Sequence, residues 1–207
     1  MFGVPSIEEV IYKLLLIFFA LPLHEYAHGL VAYKLGDPTA KYEGRLTLNP
    51  FKHLDPLGTI LIFFGPIGWA KPVPVNPFHF ANRKKGMMLV SLAGPGANFL
   101  LAVIGAMLLG IFYQSPVPAY IFENFMVLNV WLAVFNLLPL PPLDGSKILA
   151  GLLPGRQAWL YELERYGFAI LFLLIFFGFL TPILIFFAKP VIKFLVVLAN
   201  LVAGLPL

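Results

Sequence analysis

An apolar run from Leu14 to Leu23 ends in three ionisable side chains within five positions, His24-Glu25-Tyr26-Ala27-His28. The hydrophobic pattern predicts one helix over about 7–35 that carries both. Further apolar runs predict helices over about 86–112, 120–138, 159–180 and 183–203. Each is close to the ~20 residues that cross a bilayer core. Between the first two lies a mixed segment, 36–85, with one short apolar piece from Thr59 to Trp69 broken by Gly65-Pro66. That piece is too short to cross, so it predicts a re-entrant segment or a short hairpin in the membrane, with room for β structure. The expected fold is an all-α polytopic membrane protein with five spans, six being the alternative if 59–69 crossed. No polar stretch is long enough for an appended soluble domain, so 1–207 reads as a single integral membrane domain.

Composition strengthens this picture. Of 207 residues, 60% are hydrophobic and 12% charged, about half the usual charged share of a soluble domain. Mean hydropathy is +0.88. The net charge of +4 does not point to nucleic acid, because basic residues in such a chain mark cytoplasmic loops. The absence of cysteine excludes thiol ligands and thiol nucleophiles. Glu8 and Glu9 stand where a signal peptide would be basic, and His24-Glu25 where it would be cleaved, so no cleavage is expected. With 59–69 re-entrant, Lys34, Lys41, Arg45, Lys52, Lys71, Arg83, Lys84, Lys85, Lys147 and Arg156 all fall on one side. The expected orientation is therefore N-terminus out and C-terminus in.

The ionisable cluster has a specific spacing. Residues four apart share a helix face, so His24 and His28 can address one ion. Two imidazole nitrogens are half of a tetrahedral zinc site, and N/N/O ligation makes zinc the default metal. Glu25 lies about 100° around the helix, able to reach a water on the metal without being a ligand, the position of a general base. The ordinary alternative is a polar contact between helices. Yet ionisable groups at mid-membrane cost about 2.5–3.5 kcal/mol each on insertion scales, which favours a functional role.

A catalytic zinc site needs a third ligand. Asp144 follows Asn136-Leu137-Leu138-Pro139-Leu140-Pro141-Pro142-Leu143 at the inner end of the third helix, where prolines end the helix and Gly145 frees the chain to turn. A helix N-cap is its ordinary alternative. His53 and Asp55 offer a second metal site, against the more ordinary hydrogen-bonded pair. Gly94, Gly96, Gly105 and Gly110 give the second long helix a small-residue face for close packing.

These motifs carry a resemblance. HEYAH on an early membrane helix, with Asn136 to Gly145 more than a hundred residues later, resembles the site-2 protease family of intramembrane zinc metalloproteases. Gly94-Pro95-Gly96-Ala97-Asn98 is similar to that family's G-P-x-x-N motif, and Gly44 to Gly58 to the segment after the zinc helix in its compact branch, which lacks PDZ and CBS domains. The resemblance implies a three-helix catalytic core with one Zn2+ held by His24, His28 and Asp144, and Glu25 activating water. Asn136 would hydrogen-bond the substrate backbone or help place the Asp144 loop. Asn98 would stabilise the oxyanion or hold the core. The substrate would be a transmembrane segment of another membrane protein. The protein would sit in the cell (inner) membrane with its site toward the cytoplasm. The sequence leaves the oligomeric state open.

A substrate helix must unwind to expose a scissile carbonyl, and an unwound strand in lipid needs new backbone partners. Tyr42 to Leu48 and Val73-Pro74-Val75 are the expected edges for it, plain loop being the alternative. Pro22 is expected to kink or locally open the first helix, an ordinary membrane-helix proline being the alternative. A zinc-binding or transporting protein without peptidase activity would instead show further intramembrane acidic or histidine residues, and none is well placed in helices two, four or five. An inactive homologue would lack Glu25 or a ligand.

Overall fold

The structure is a computed structural model that describes residues 7–64, 68–155 and 158–205. The expected break at Gly65-Pro66 and the basic residue Arg156 lie outside the described residues. The chain forms α1 (Ile7–Leu15), a π-helical stretch (Leu16–Ala20), α2 (Leu21–Lys34), α3 (Thr39–Tyr42) and α4 (Pro56–Phe64). There follow α5 (Arg83–Ile111), α6 (Pro116–Leu137), α7 (Asp144–Leu152), α8 (Ala158–Phe176) and α9 (Leu180–Ala203). No strand occurs among the described residues. An isolated antiparallel bridge, Leu54 with Ala70, is the nearest approach to the expected β structure.

The first helix is continuous from α1 through the π stretch into α2. Pro22 has no N–H, so the carbonyl of Phe18 loses its helical donor. The register slips to i→i−5 just before it, and the N–H of Leu21 bonds the carbonyl of Leu16. The expected kink is thus taken up as a π segment immediately ahead of HEYAH, a feature that recurs at functional sites. The helix ends where Gly36 adopts φ 101° and the N–H of Asp37 returns to the carbonyl of Ala32.

Residues 46–64 and 68–70 lie as two arms beside the first helix, an arrangement compatible with the expected re-entrant hairpin. Leu46 and Val73 both press on Gly29 near one end of the first helix, while Phe51 meets Phe18 edge-on. Further along, the Lys13 ammonium donates to the carbonyl of Phe63 at 2.8 Å. The chain runs down beside the first helix through α4, and Gly68 lies back against Ile62 and Gly58. Its two arms are tied by the Leu54–Ala70 bridge and by the Lys71 N–H on the carbonyl of His53.

α5 is the central helix and packs against α2, α6, α7 and α9. Its start is fixed by Asn82, whose side chain accepts from the N–H of Lys85. Among the described residues, four helices are long and apolar enough to cross a membrane: Val10–Lys34, Arg83–Ile111, Pro116–Leu137 and Leu180–Ala203. The expected fifth span over 159–180 is α8, and packing shows that it does not cross. Gly167 abuts Pro141, while Leu171 and Leu180 cluster with Leu138 and Leu143 at the basic end of α6. α9 therefore starts at the basic side and runs outward, and Gly110 at the far end of α5 meets Ala199 and Val202. Four crossings bring Ala203 to the same side as Val10, which corrects the expected placement of the C-terminus. α8 also carries Glu164 and Arg165 near its start, charges that disfavour a place in the hydrocarbon core.

Candidate metal centre

Three side chains from two elements converge on one point. α2 supplies His24 and His28 from adjacent turns, and α7 begins with Asp144 after the proline-rich break. The His24 Nε2 lies 2.9 Å from His28 Nε2. Asp144 Oδ2 lies 3.3 Å from the first and 3.2 Å from the second. Asp144 opens α7 without capping it by a side-chain bond, so its carboxylate is directed at the histidines instead. Gly145 allows this placement: a Cβ there would lie 2.2 Å from the carbonyl oxygen of Leu137.

The proton inventory fits a cation. His24 Nδ1 is 2.6 Å from Asn98 Oδ1, and His28 Nδ1 is 2.7 Å from the carbonyl of Val90. Both Nδ1 atoms therefore donate, which leaves both Nε2 atoms as bare acceptors. Two lone pairs and a carboxylate oxygen face one another, an arrangement that a metal ion relieves. Zinc bonds of roughly 2.0–2.1 Å in tetrahedral geometry set ligand atoms about 3.3 Å apart, close to the separations here. Among the described residues this is the sole group of three or more such side chains compact enough to hold an ion.

α5 forms the wall behind the site. A Cβ on Gly94 would lie 2.4 Å from His28 Nε2 and 2.6 Å from His24 Nε2, so the helix backbone touches both imidazoles. Pro95 follows, then Asn98 one turn on, fully buried. Asn98 donates from Nδ2 to Asn129 Oδ1 at 2.9 Å, and Asn129 donates from Nδ2 to the carbonyl of Phe125 at 2.8 Å. The relay has one direction: each amide is oriented by the next, and the last bond fixes the His24 tautomer. Asn98 thus bonds within the helix core, to His24 and Asn129. Asn129 was missed from sequence. The signal was an amide in the apolar stretch from Met126 to Val134, where a polar side chain must find a partner.

A cavity of about 310 Å³ opens in front of the site, lined among others by Glu25, Val73, Val75, Asn136 and Lys147. Glu25 Oε2 accepts the N–H of Val73 at 2.8 Å, which orients the carboxylate. Asn136 lines the cavity while its Nδ2 donates to the carbonyl of Leu132 within α6. Val73 to Val75 lies outside any helix or strand, with the Val73 N–H taken by Glu25, whereas Tyr42 to Leu48 is a helix end and turn with Gly44 at φ 63°, so it offers no strand edge. His53 and Asp55 do not meet as a pair. His53 Nε2 donates to the carbonyl of Thr47, and Asp55 accepts the N–H of Gly58 at the start of α4.

The extended segment is anchored outside the membrane by Asp37. Its buried carboxylate accepts from the Thr39 hydroxyl and N–H, from the N–H of Asn76 and from His79 Nδ1. Burial pushes its pKa up, but these donors outweigh burial and hold it below the ordinary aspartate value.

Known proteins resemble this chain along most of its length. It is 46% identical over 182 residues to a Bacillus subtilis protein named "Putative zinc metalloprotease YwhC", covering 83% of this chain and 81% of that one. The chain belongs to peptidase family M50. The sequence profile of that family matches residues 113–178. "Putative zinc metalloprotease Rip2" of Mycolicibacterium smegmatis is 35% identical over 80% of this chain and 65% of its own length. "Zinc metalloprotease MJ0392" of Methanocaldococcus jannaschii is 26% identical over 81% of this chain and 42% of its own length. No solved structure matches the chain. As an M50, or site-2 protease, family member, the protein is an integral membrane metalloprotease, and zinc is the metal that its relatives' names carry.

Proposed function

We propose that this protein is an intramembrane endopeptidase that cuts the transmembrane segments of other membrane proteins, with one zinc per chain and its site toward the cytoplasm. The observation that carries the proposal is the convergence of His24, His28 and Asp144 with Glu25 beside them in a cavity. His24, His28 and Asp144 would hold the metal. Bound there, zinc supplies Lewis acidity for the scissile carbonyl and for the attacking water. Glu25 takes the proton from that water and returns it to the departing amide nitrogen. The Val73 N–H occupies one carboxylate oxygen and leaves the other free for this work. Asn98 and the Val90 carbonyl hold the two imidazoles in the tautomer that exposes Nε2. An unwound substrate strand would lie along Val73 to Val75, which lines the cavity and, with the Val73 N–H on Glu25 and none on Pro74, offers it the Val75 N–H and the backbone carbonyls. The basic flanks of α2 and α5 support the cytoplasmic orientation in the cell membrane.

The test is cleavage of a panel of single-pass membrane segments by the purified protein in detergent, beside Glu25→Gln, with bound metal assayed in both. Cutting by the native protein, and its loss in a Glu25→Gln protein that still holds zinc, is the expected result. A native protein that holds no metal overturns the ligand assignment. Zinc bound without cutting of any segment counts against the peptidase reading.

A further inference from the structure

α9 carries two lysines in the middle of a membrane span, Lys189 and Lys193, one turn apart on one face. Both side chains are exposed on the outer surface of the helix bundle. Neither has an ion pair or hydrogen bond among the described residues. At about 1.5 Å per residue, Lys193 lies about 20 Å from Leu180 and about 15 Å from Ala203, the midplane of a core ~30 Å thick. Exposing a lysine there costs about 2.5–3.5 kcal/mol on insertion scales, and two neighbours add repulsion. The peptidase site makes no use of them, since they stand on α9, which packs on α5 and α6, while the ligands come from α2 and α7.

Two further features mark the same spot. A cleft of about 280 Å³ is lined by Trp131 of α6 with Ile185, Lys189, Ile192 and Lys193. Pro190 stands between the lysines, so the carbonyl of Phe186 has no helical donor. A cleft, two ammonium donors and a carbonyl that lacks its i+4 helical donor thus lie together on the outer surface of the bundle.

We infer that this face of α9 docks a transmembrane helix of another protein that carries a carboxylate near mid-membrane. Depth selects this occupant over a lipid headgroup. A lysine side chain reaches about 6 Å, five bonds of roughly 1.5 Å in zigzag. The Cα–Cβ bond tilts toward the helix N-terminus, here the basic surface, but the Lys193 ammonium still stops well short of the phosphates. A carboxylate on a helix packed in the cleft meets both lysines at their own depth, and Trp131 supplies an apolar wall beside it. The inference does not depend on the peptidase reading.

The probe is a dansyl-labelled 23-residue Leu/Ala helix with Glu at position 12, beside versions with Gln or Leu there. Association is read in phosphatidylcholine vesicles by energy transfer from Trp131, kept as sole tryptophan by Trp69→Phe and Trp159→Phe. The Glu helix should bind about tenfold tighter than the other two, and Lys189→Met with Lys193→Met should remove that preference. The double change takes charge out of lipid, so it should raise the thermal midpoint. A single Lys193→Met provides the same reading if the double variant fails to fold. Lys193→Glu combined with Lys189→Met, which leaves the new carboxylate without its own lysine one turn away, should shift the preference to a helix with Lys at position 12. Equal binding of the three helices, or a preference that survives both Met changes, overturns the inference. Quenching of Trp131 by brominated phosphatidylglycerol but not phosphatidylcholine, abolished by the Met changes, with the three helices equal, assigns the site to a lipid phosphate instead.

Discussion

Gly94→Ala adds one methyl group at the point where α5 meets the metal centre. That carbon would lie 2.4 Å from His28 Nε2 and 2.6 Å from His24 Nε2, whereas ordinary contact begins at 3.4 Å. The imidazoles or the helix must therefore move by about 1 Å, while metal–ligand distances tolerate only about 0.2 Å. Neither side yields easily. His24 is tied to Asn98, His28 to the Val90 carbonyl, and α5 is packed on several sides. The expected loss of zinc affinity is at least about 100-fold, the scale of a ~1 Å misplacement in a preorganised site. Global stability should change far less. Alanine in place of glycine favours a helix by about 1 kcal/mol, and overpacking costs about 1–3 kcal/mol. The assay is zinc competition against a chelator of known affinity, beside thermal unfolding of the metal-free protein. If Gly94→Ala keeps zinc within about threefold, under 1 kcal/mol, the three ligand atoms do not form the metal site as built here.

Asn98→Leu should weaken zinc binding by about 10–100-fold and Asn129→Leu by less, because the second acts only through the first; cobalt substitution would show the distorted site as a changed visible spectrum in both. Acidification should free the 72–82 segment. Asp37 has a lowered pKa, so its contribution is complete above the unfolded value of about 3.9 and is lost as pH falls through the folded value. Chymotryptic cutting after Phe80, buried in the folded protein and followed by Ala81, sampled by acid pulse and return to neutral pH, should rise below about pH 4 in the native protein and be pH-independent in Asp37→Asn. Single cysteines at Gln114 and Leu205, in a chain with none of its own, should react with an impermeant maleimide from one side, and a cysteine at Lys147 from the other; labelling of 114 and 205 from opposite sides would restore five spans.

The metal centre was legible because its chemistry is written in local spacings. His24 and His28 are four apart, and any helix puts them on one face. Asp144 was found by elimination of depth and by the proline break before it. The role of Gly94 was not legible, since a small-residue face reads as packing until the opposing imidazoles are seen. Nor was the bond from Val73 to Glu25. Those residues lie 48 positions apart, and an N–H donor has no residue type to betray it. Asn129 fell between: its polarity was visible, but its partner, Asn98, sits on another helix.

Span count failed for a related reason. Apolar length says that a segment is compatible with lipid, not that it crosses. α8 has the length, at 19 residues, yet charges in its first turns and the contact of Gly167 with Pro141 keep it at the basic end. Gly178, at φ 74°, then turns the chain directly into α9. Reversing α9 changes what its lysines mean. Side chains tilt toward a helix N-terminus, so with Leu180 at the basic surface Lys189 leans toward the lipid headgroups on that side and Lys193 is left at mid-depth. In a five-span protein both would lean the other way. The same four-helix packing that fixes the topology therefore separates one lysine that lipid can help solvate from one that needs a partner inside the membrane.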